Sequence, residues 1–200
     1  MSYFALTATN SIAIFGGTFD PIHNGHVHVI SEILKSGKFS KLVIVPAGKP
    51  WQKSPTASAS NRLEMTKLAL SEIDVEVSDC EVKRDTPSYA IDTVHDLHSL
   101  NPESSLTWII GSDAIAGLST WNRIDEMASE VEFLIVLRPG HTVDQSAIPH
   151  FIKWTSIEIH ARDISATQVR EKVSVGSDIS DLVPPSVAAY IYEKKLYGAA

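Results

Sequence analysis

Cysteine is nearly absent from this chain, since Cys80 is the only one among 200 residues. A disulfide framework within the chain is therefore excluded, and the composition fits a reducing compartment. No run of residues approaches the roughly 20 apolar residues of a membrane-spanning helix. Residues 1–10 also lack the charged start and the long apolar core of a signal peptide. We therefore expect a cytoplasmic protein with no membrane partner.

Positive charge is also scarce, with 17 Lys and Arg against 24 Asp and Glu and a formal net charge of −7. A field of this sign does not favour nucleic acid as a partner. It does not exclude a small anionic ligand, because salt screens surface charges over about 8 Å and a local cluster of donors then decides binding.

The composition is that of a globular protein, with 44% hydrophobic and 20% charged residues. A chain of this length suits one medium-sized domain, so we expect a single domain over residues 1–200. We expect residues 1–9 to form a short leader before the first strand. The small and polar run SPTASAS at 54–60 predicts a mobile loop over 46–60.

Apolar, β-branched runs alternate with segments of helical period along the chain. Strands are predicted at 11–15, 41–45, 75–77, 81–83, 106–110, 133–137 and 157–159. Helices are predicted at 25–36, 61–70, 88–100, 165–175 and 186–196. Strand runs without polar alternation indicate strands that are covered on both faces. The pattern predicts an α/β fold, a Rossmann-like doubly wound parallel sheet with a small C-terminal helical part.

Ligands of such sheets bind beyond the carboxyl ends of the strands, near the point where the strand order reverses. The loop after the first predicted strand reads GGTFDPIHNGH (residues 16–26). Gly16 and Gly17 let the backbone approach a ligand closely and expose its N–H groups. His23 and His26 are three residues apart at a helix start, which puts both rings on one side. We interpret this segment as a phosphate site.

Other interpretations of this segment are weaker. Glycines after a strand often form only a tight turn, and paired histidines are often structural, but the combination at this position favours a site. A zinc site is disfavoured because two histidines supply only two ligands and no Cys or Glu lies nearby. The sequence lacks both G-x-G-x-x-G and the P-loop pattern, which argues against hydride transfer and against P-loop hydrolysis of ATP.

A second candidate segment, ISATQVR (residues 164–170), begins a late helix. Ser165 is a good N-cap residue, and the first turn leaves free N–H donors. Thr167 and Arg170 are three residues apart, and a guanidinium matches the geometry of phosphate oxygens. An ordinary capped surface helix is the alternative, and it becomes less attractive beside the first phosphate segment.

These segments resemble the signatures of the nucleotidylyltransferase superfamily, His-x-Gly-His and Ile-Ser-Ser-Thr-x-x-Arg, with Ala166 in place of the second serine. Further matches are similar to the bacterial nicotinate-nucleotide adenylyltransferase family: PSY at 87–89, DT at 92–93, IGSD at 110–113 with Trp121, RPG at 138–140, VP at 183–184, YI at 190–191 and LY at 196–197. The resemblance spans about residues 12–197. The loop PWQK at 50–53 resembles the actinobacterial branch, which lacks the loop histidine of other members.

The resemblance implies transfer of AMP from ATP to nicotinate mononucleotide, with Mg²⁺ arriving as part of the ATP complex. It implies His23, His26 and Arg170 as catalytic residues that bind the ATP phosphates. Further ATP-binding positions that it implies are Gly16, Gly17, Thr18, Phe19, Lys49, Lys53, Ile164, Ser165 and Thr167. It implies no metal site built by the protein's own side chains.

For the pyridine nucleotide, the resemblance implies Thr93, Gly111, Asp113 and Trp121. Trp121 would stack on the nicotinate ring, although a core aromatic is the alternative for this residue. Asp113 would bind a ribose hydroxyl or merely cap the next helix. Three other functions stay open at this point: an adenylyltransferase for nicotinamide mononucleotide, one for phosphopantetheine, and a regulator that binds nucleotides without catalysis. A homo-oligomer is possible.

Overall fold

A computed structural model describes residues 10–137, 140, 142–160 and 163–200. The predicted leader at 1–9 lies outside the described residues, as do Arg138 and Pro139 of the RPG match.

The centre of the fold is a six-stranded sheet in the order β3-β2-β1-β4-β5-β6, and every pair of neighbouring strands is parallel. The strands are β1 Ser11–Gly17, β2 Lys41–Pro46, β3 Glu76–Val77, β4 Ser105–Gly111, β5 Val131–Leu137 and β6 Trp154–Glu158. The predicted doubly wound parallel sheet is confirmed. The order runs outward in one direction from β1 and in the other from β4, so the switch point lies between these two strands.

Helices connect the strands. They are α1 Asn24–Lys35, α2 Ala59–Ala69, α3 Cys80–Lys83, α4 Ala90–Leu100, α5 Ile124–Glu130, α6 Ala166–Ser174 and α7 Pro185–Glu193. Three 3₁₀ segments lie within the described part of the chain, at Ser112–Thr120, Gln145–Ala147 and Leu196–Gly198. Each predicted helix is present, with ends shifted by at most three residues.

The prediction was wrong at two local points. Residues 81–83 were predicted as a strand but belong to the short helix α3, because three residues carry too little pattern to separate the two states. The helix predicted at 88–100 instead begins at Ala90, so Ser88 lies before α4. The Ser88 hydroxyl accepts hydrogen bonds from the backbone N–H groups of Gly48 at 2.9 Å and Lys49 at 3.0 Å.

Both faces of the sheet are covered, which explains the strand runs without polar alternation. Alternate strand residues such as Ala13 and Ile44 face one core, which they share with α1, α2, α6 and α7. Their neighbours, such as Ile14 and Val43, face a second core shared with α4 and α5. Successive strand side chains point to opposite faces, so each buried strand has to be apolar throughout.

The loop after β2 passes very close to α3. Gly48 is buried, and a Cβ added there would overlap the backbone carbonyl oxygen of Glu81. A backbone neighbour cannot rotate away as a flexible side chain can. The glycine is therefore required by the packing of this loop against α3.

We expect Gly48→Ala to lower the free energy of unfolding by about 1–3 kcal/mol, because the new methyl group overpacks a backbone contact. Urea unfolding measures the change. Gly117→Ala is the matched control, since a Cβ there meets nothing within 4 Å. Equal stabilities of the two variants would contradict this account of the contact.

Candidate active site

A cavity of about 810 Å³ opens at the carboxyl edge of the sheet, over the ends of β1 and β4. This volume is typical of sites for small molecules and cofactors. The cavity is lined by most of the residues predicted for the site: Gly16, Gly17, Thr18, Phe19, His23, His26, Lys53, Gly111, Asp113, Trp121, Ile164, Ser165, Thr167 and Arg170. The two candidate segments, which lie about 140 residues apart in the sequence, therefore share one cavity.

The rings of His23 and His26 stack on each other, with centroids 3.6 Å apart and planes inclined by 24°. Nδ1 of His26 accepts a hydrogen bond of 3.3 Å from the backbone N–H of His23. A neutral imidazole that accepts at Nδ1 carries its proton at Nε2. This bond therefore fixes the tautomer that leaves His26 with an Nε2–H donor.

Burial determines the charge of this pair. Desolvation lowers the pKa of His23 to about 4. Desolvation, the nearby His23 and the positive charge of Lys53 hold the pKa of His26 well below its usual range. The edge of the Phe19 ring packs against His26, with centroids 5.1 Å apart. Both rings are therefore neutral near pH 7 and offer hydrogen bonds without a fixed charge. An anion bound beside them would raise both pKa values.

Glycines allow the close packing beneath this pair. A Cβ on Gly16 would lie 2.7 Å from Cζ2 of Trp108, and a Cβ on Gly17 would lie 2.7 Å from Cζ of Phe19. Real Cβ atoms do not come this close to ring carbons. The carboxyl end of β1 therefore lies directly against two aromatic rings, as only glycine permits at these positions.

Arg170 joins the second segment to the first. Its Nη1 donates to the backbone carbonyl of Asp20 at 2.8 Å, and its Nη2 donates to Oγ1 of Thr167 at 3.1 Å. The hydroxyl of Ser165 caps α6 by accepting from the backbone N–H of Gln168 at 3.1 Å. The guanidinium therefore lies at the start of α6 and is held against the loop that carries the first of the two stacked histidines and leads into α1, which carries the second.

Two predicted residues lie away from the cavity surface. The Nζ of Lys49 binds Asp85, at 2.6 Å to Oδ1 and 2.8 Å to the backbone oxygen, and Lys49 does not line the cavity. Lys53 does line it, so the structure places one of the two predicted lysines at the cavity and the other in an ion pair with Asp85. Thr93 is fully buried and donates a hydrogen bond of 2.6 Å to Oε1 of Glu81, which itself lines the cavity.

Aromatic side chains form the part of the cavity nearest to β4. Trp121 packs edge-on against Trp108, with centroids 6.3 Å apart and planes inclined by 86°. Trp51 and Tyr89 form a second tilted pair at 6.3 Å. A flat heteroaromatic ring fits such surroundings, because it can stack on one ring while its edges meet the next.

Sequence reasoning missed three buried polar residues at the site: Asp20, which lines the cavity, and Arg62 and Tyr197, which lie outside its lining. Asp20 and Arg62 are 5% and 0% exposed, respectively, although charged groups are seldom buried to this extent without partners. Asp20 lies within the first motif and could have been questioned there. Nothing in the local pattern pointed to Arg62, and the LY match at 196–197 did not indicate that Tyr197 bonds to Asp20.

Among the described residues, no helix is both long enough and apolar enough to cross a membrane. No group of three or more His, Cys, Asp or Glu side chains within the described ranges could hold a metal ion.

A family model described as cytidylyltransferase-like matches residues 14–172. The fold and the site thus define a nucleotidyltransferase. Among curated relatives, a "probable nicotinate-nucleotide adenylyltransferase" of Leifsonia xyli subsp. xyli is 40% identical over 187 residues, which is 93% of each chain. A relative of the same name from Streptomyces coelicolor is also 40% identical and covers 91% of this chain and 98% of its own.

Solved structures agree in fold. The nicotinic acid mononucleotide adenylyltransferase of Plasmodium falciparum, complexed with NaAD, superposes with a TM-score of 0.81 at 23% identity, covering 96% of this chain and 98% of its own. The chain belongs to the cytidylyltransferase-like family and, within it, to the nicotinate-nucleotide adenylyltransferase family.

The buried histidine pair should make stability depend on pH. The pKa of His23 is about 4 in the folded chain against the ordinary 6.5 of an exposed histidine, so the unfolded chain takes up the proton first as the pH falls. The contribution of neutral His23 is complete above pH 6.5 and is lost progressively towards pH 4, by about 3 kcal/mol at most.

We therefore expect the free energy of unfolding of His23→Asn to fall less than that of the wild type between pH 7 and pH 4, measured by urea unfolding at each pH. His23 occupies the N-cap position of α1. Asparagine is a good N-cap residue but does not titrate. Parallel pH curves for the two proteins would contradict a titrating His23.

Proposed function

We propose that this chain transfers AMP from ATP to nicotinate mononucleotide, giving nicotinate adenine dinucleotide and pyrophosphate. The observation that carries the proposal is the single cavity into which the stacked His23 and His26, the start of α6 with Arg170, and the pair of Trp108 and Trp121 all project. The names of the curated relatives favour the same reaction. The cytoplasmic location stays a prediction, supported by the scarcity of cysteine.

The proposed reaction is an in-line displacement at the α-phosphorus of ATP. A phosphate oxygen of the mononucleotide forms the new bond to phosphorus. The bond from the α-phosphorus to the bridging oxygen of the β-phosphate breaks, and its electron pair leaves with pyrophosphate. The attacking oxygen is already an anion, so no strong general base is required. Positioning and neutralisation of charge must then supply most of the catalysis.

The residues of the cavity divide this task. In the proposed complex, the Nε2–H of His26 donates to the α-phosphate, where negative charge accumulates. Arg170, Thr167 and the N–H groups at the start of α6 receive the β- and γ-phosphates, because a helix N-terminus and a guanidinium both favour anions. Lys53 adds positive charge from the loop after β2.

Mg²⁺ belongs to this proposal as part of the substrate. It binds largely through phosphate oxygens and keeps several waters, so it needs no cage of protein carboxylates. When bound, it neutralises charge on the leaving pyrophosphate.

The proposal is tested by incubating the protein with ATP, Mg²⁺ and nicotinate mononucleotide and following pyrophosphate release. Nicotinamide mononucleotide and phosphopantetheine are the comparison acceptors. We expect the fastest release with the nicotinate acceptor. Release with another acceptor but none with nicotinate mononucleotide would overturn the assignment of the substrate.

We expect His26→Ala to lower kcat by about 10²-fold or more, because it removes one donor that is already in place for the transition state. Steady-state pyrophosphate release measures the effect, and circular dichroism checks that the fold is retained. His28→Ala is the matched control, since His28 lies on the same helix but does not line the cavity. Near-normal turnover of His26→Ala would remove His26 from the mechanism.

Trp121 tests the pyridine side of the cavity. We expect Trp121→Ala to raise the KM for nicotinate mononucleotide several-fold more than the KM for ATP. A stacked aromatic pair adds about 0.5–1.5 kcal/mol of binding energy to that of the apolar area it buries. Equal changes in both Michaelis constants would contradict a stacking role.

A further inference from the structure

The carboxylate of Asp20 is the centre of a buried polar network behind the cavity. Oδ2 accepts from the backbone N–H of Thr56 at 2.7 Å, and Oδ1 accepts from the backbone N–H of Ala57 at 3.0 Å. Oδ1 also accepts from the hydroxyl of Tyr197 at 2.8 Å. Both oxygens are thus occupied by protein donors. One side chain therefore joins the loop of His23 to the loop of Lys53 and to the C-terminal turn.

Arg62 reinforces this junction from the first turn of α2. Its guanidinium is fully buried and donates to three backbone carbonyls, those of Thr18 at 2.7 Å, Gly48 at 3.0 Å and Ala57 at 3.3 Å. These carbonyls belong to the loop after β1, the loop after β2 and the residues just before α2. The charge of Asp20 favours the protonated Arg62 against the desolvation that lowers its pKa.

Tyr197 comes from a part of the chain that is distant in sequence. It lies in the 3₁₀ segment Leu196–Gly198 with a left-handed backbone at φ 57°, and its side chain is buried. Its hydroxyl reaches Asp20 across 177 residues of sequence. Burial and the nearby Asp20 raise the pKa of Tyr197, so the hydroxyl keeps its proton and acts as a donor. A hydroxyl that donates to a carboxylate makes one of the stronger hydrogen bonds in proteins.

We propose that Tyr197, acting through Asp20, is a positioning residue for ATP binding, so that the C-terminal turn forms part of the support of the site. The inference rests on the proposed function. His23 follows Asp20 by three residues, and Lys53 precedes Thr56 by three residues. The backbone carbonyl of Asp20 holds Arg170. Three groups assigned to the ATP phosphates thus lie next to this one aspartate, whose carboxylate accepts from Thr56, Ala57 and Tyr197 and not from Trp108 or Trp121.

The test compares the wild type, Tyr197→Phe and Tyr190→Phe. Tyr197→Phe keeps the buried ring and removes only the hydroxyl. Tyr190→Phe is the matched control, because its hydroxyl donates to Oδ1 of Asn61 at 3.0 Å, on the same side of the fold but outside the cavity lining. Calorimetric titration with a non-hydrolysable ATP analogue gives Kd, steady-state kinetics give both Michaelis constants, and thermal unfolding gives Tm.

We expect Tyr197→Phe to raise the Kd of the analogue about tenfold. A hydrogen bond to a charged group changes an equilibrium constant by about this factor. The KM for ATP should rise with it, while the KM for nicotinate mononucleotide should change less than about twofold. Tyr190→Phe should leave Kd and both Michaelis constants at their wild-type values. A merely structural hydroxyl would lower Tm and leave the Kd of folded Tyr197→Phe unchanged, and that result would overturn the inference.

Asp20→Asn and the double variant complete the cycle. If Tyr197 acts through Asp20, its substitution should change the Kd of Asp20→Asn by less than about twofold, because groups that share one network are not additive. Full additivity would overturn the inference. A wild type that binds the analogue but does not use nicotinate mononucleotide would contradict the proposed substrate and leave the Kd comparison to decide the inference. A wild type that does not bind the analogue would overturn both.

Discussion

The placement of the short loop between β1 and α1 is the constraint on which the rest of the site depends. This loop carries His23 and leads directly into the first turn of α1, which carries His26, and its Asp20 carbonyl holds Arg170. Loops seldom stay fixed without partners, since their backbone groups lack the regular bonds of helices and strands. Here the fixation comes from beneath, through the Trp108 ring against Gly16, and from behind, through the Asp20 carboxylate. Position 16 therefore has to be glycine, and position 20 has to carry a side chain that accepts hydrogen bonds.

The electrostatics of the pocket follow from this fixation. In the proposed reaction, a chain with a net charge of −7 binds a polyanion in a cavity that carries few permanent charges. The stacked histidines are held neutral by burial, so they do not repel each other or Lys53 before a ligand arrives. A bound triphosphate would shift the two histidines towards their protonated forms, because an anion close to an imidazole favours its charged form. The pair can therefore gain positive charge when it is needed and avoid the cost of burying it beforehand.

The sequence was sufficient for the sheet and for most of the cavity lining, because those features are local. Buried parallel strands are apolar throughout, and glycines and histidines after a strand end stand out in any such run. The support of the site was not predictable in this way. Arg62 bonds to carbonyls 44, 14 and 5 residues away, and Tyr197 bonds to Asp20 across 177 residues. Such partners are determined by tertiary packing, which secondary-structure propensity and hydrophobic periodicity do not report. Lys49 illustrates the same limit, since its pairing with Asp85 depends on where α3 ends.

The loop after β2, predicted to be mobile over 46–60, is held at two points in the structure. Near its start, the amides of Gly48 and Lys49 bind Ser88, and near its end the amides of Thr56 and Ala57 bind Asp20. Between these points, residues 50–55 line the cavity and carry both Trp51 and Lys53. A change of conformation on ligand binding is therefore restricted to about six residues, which have to pivot between two fixed ends. Because one of those ends is the Asp20 carboxylate, the position of the loop and the position of the histidines are set by the same side chain.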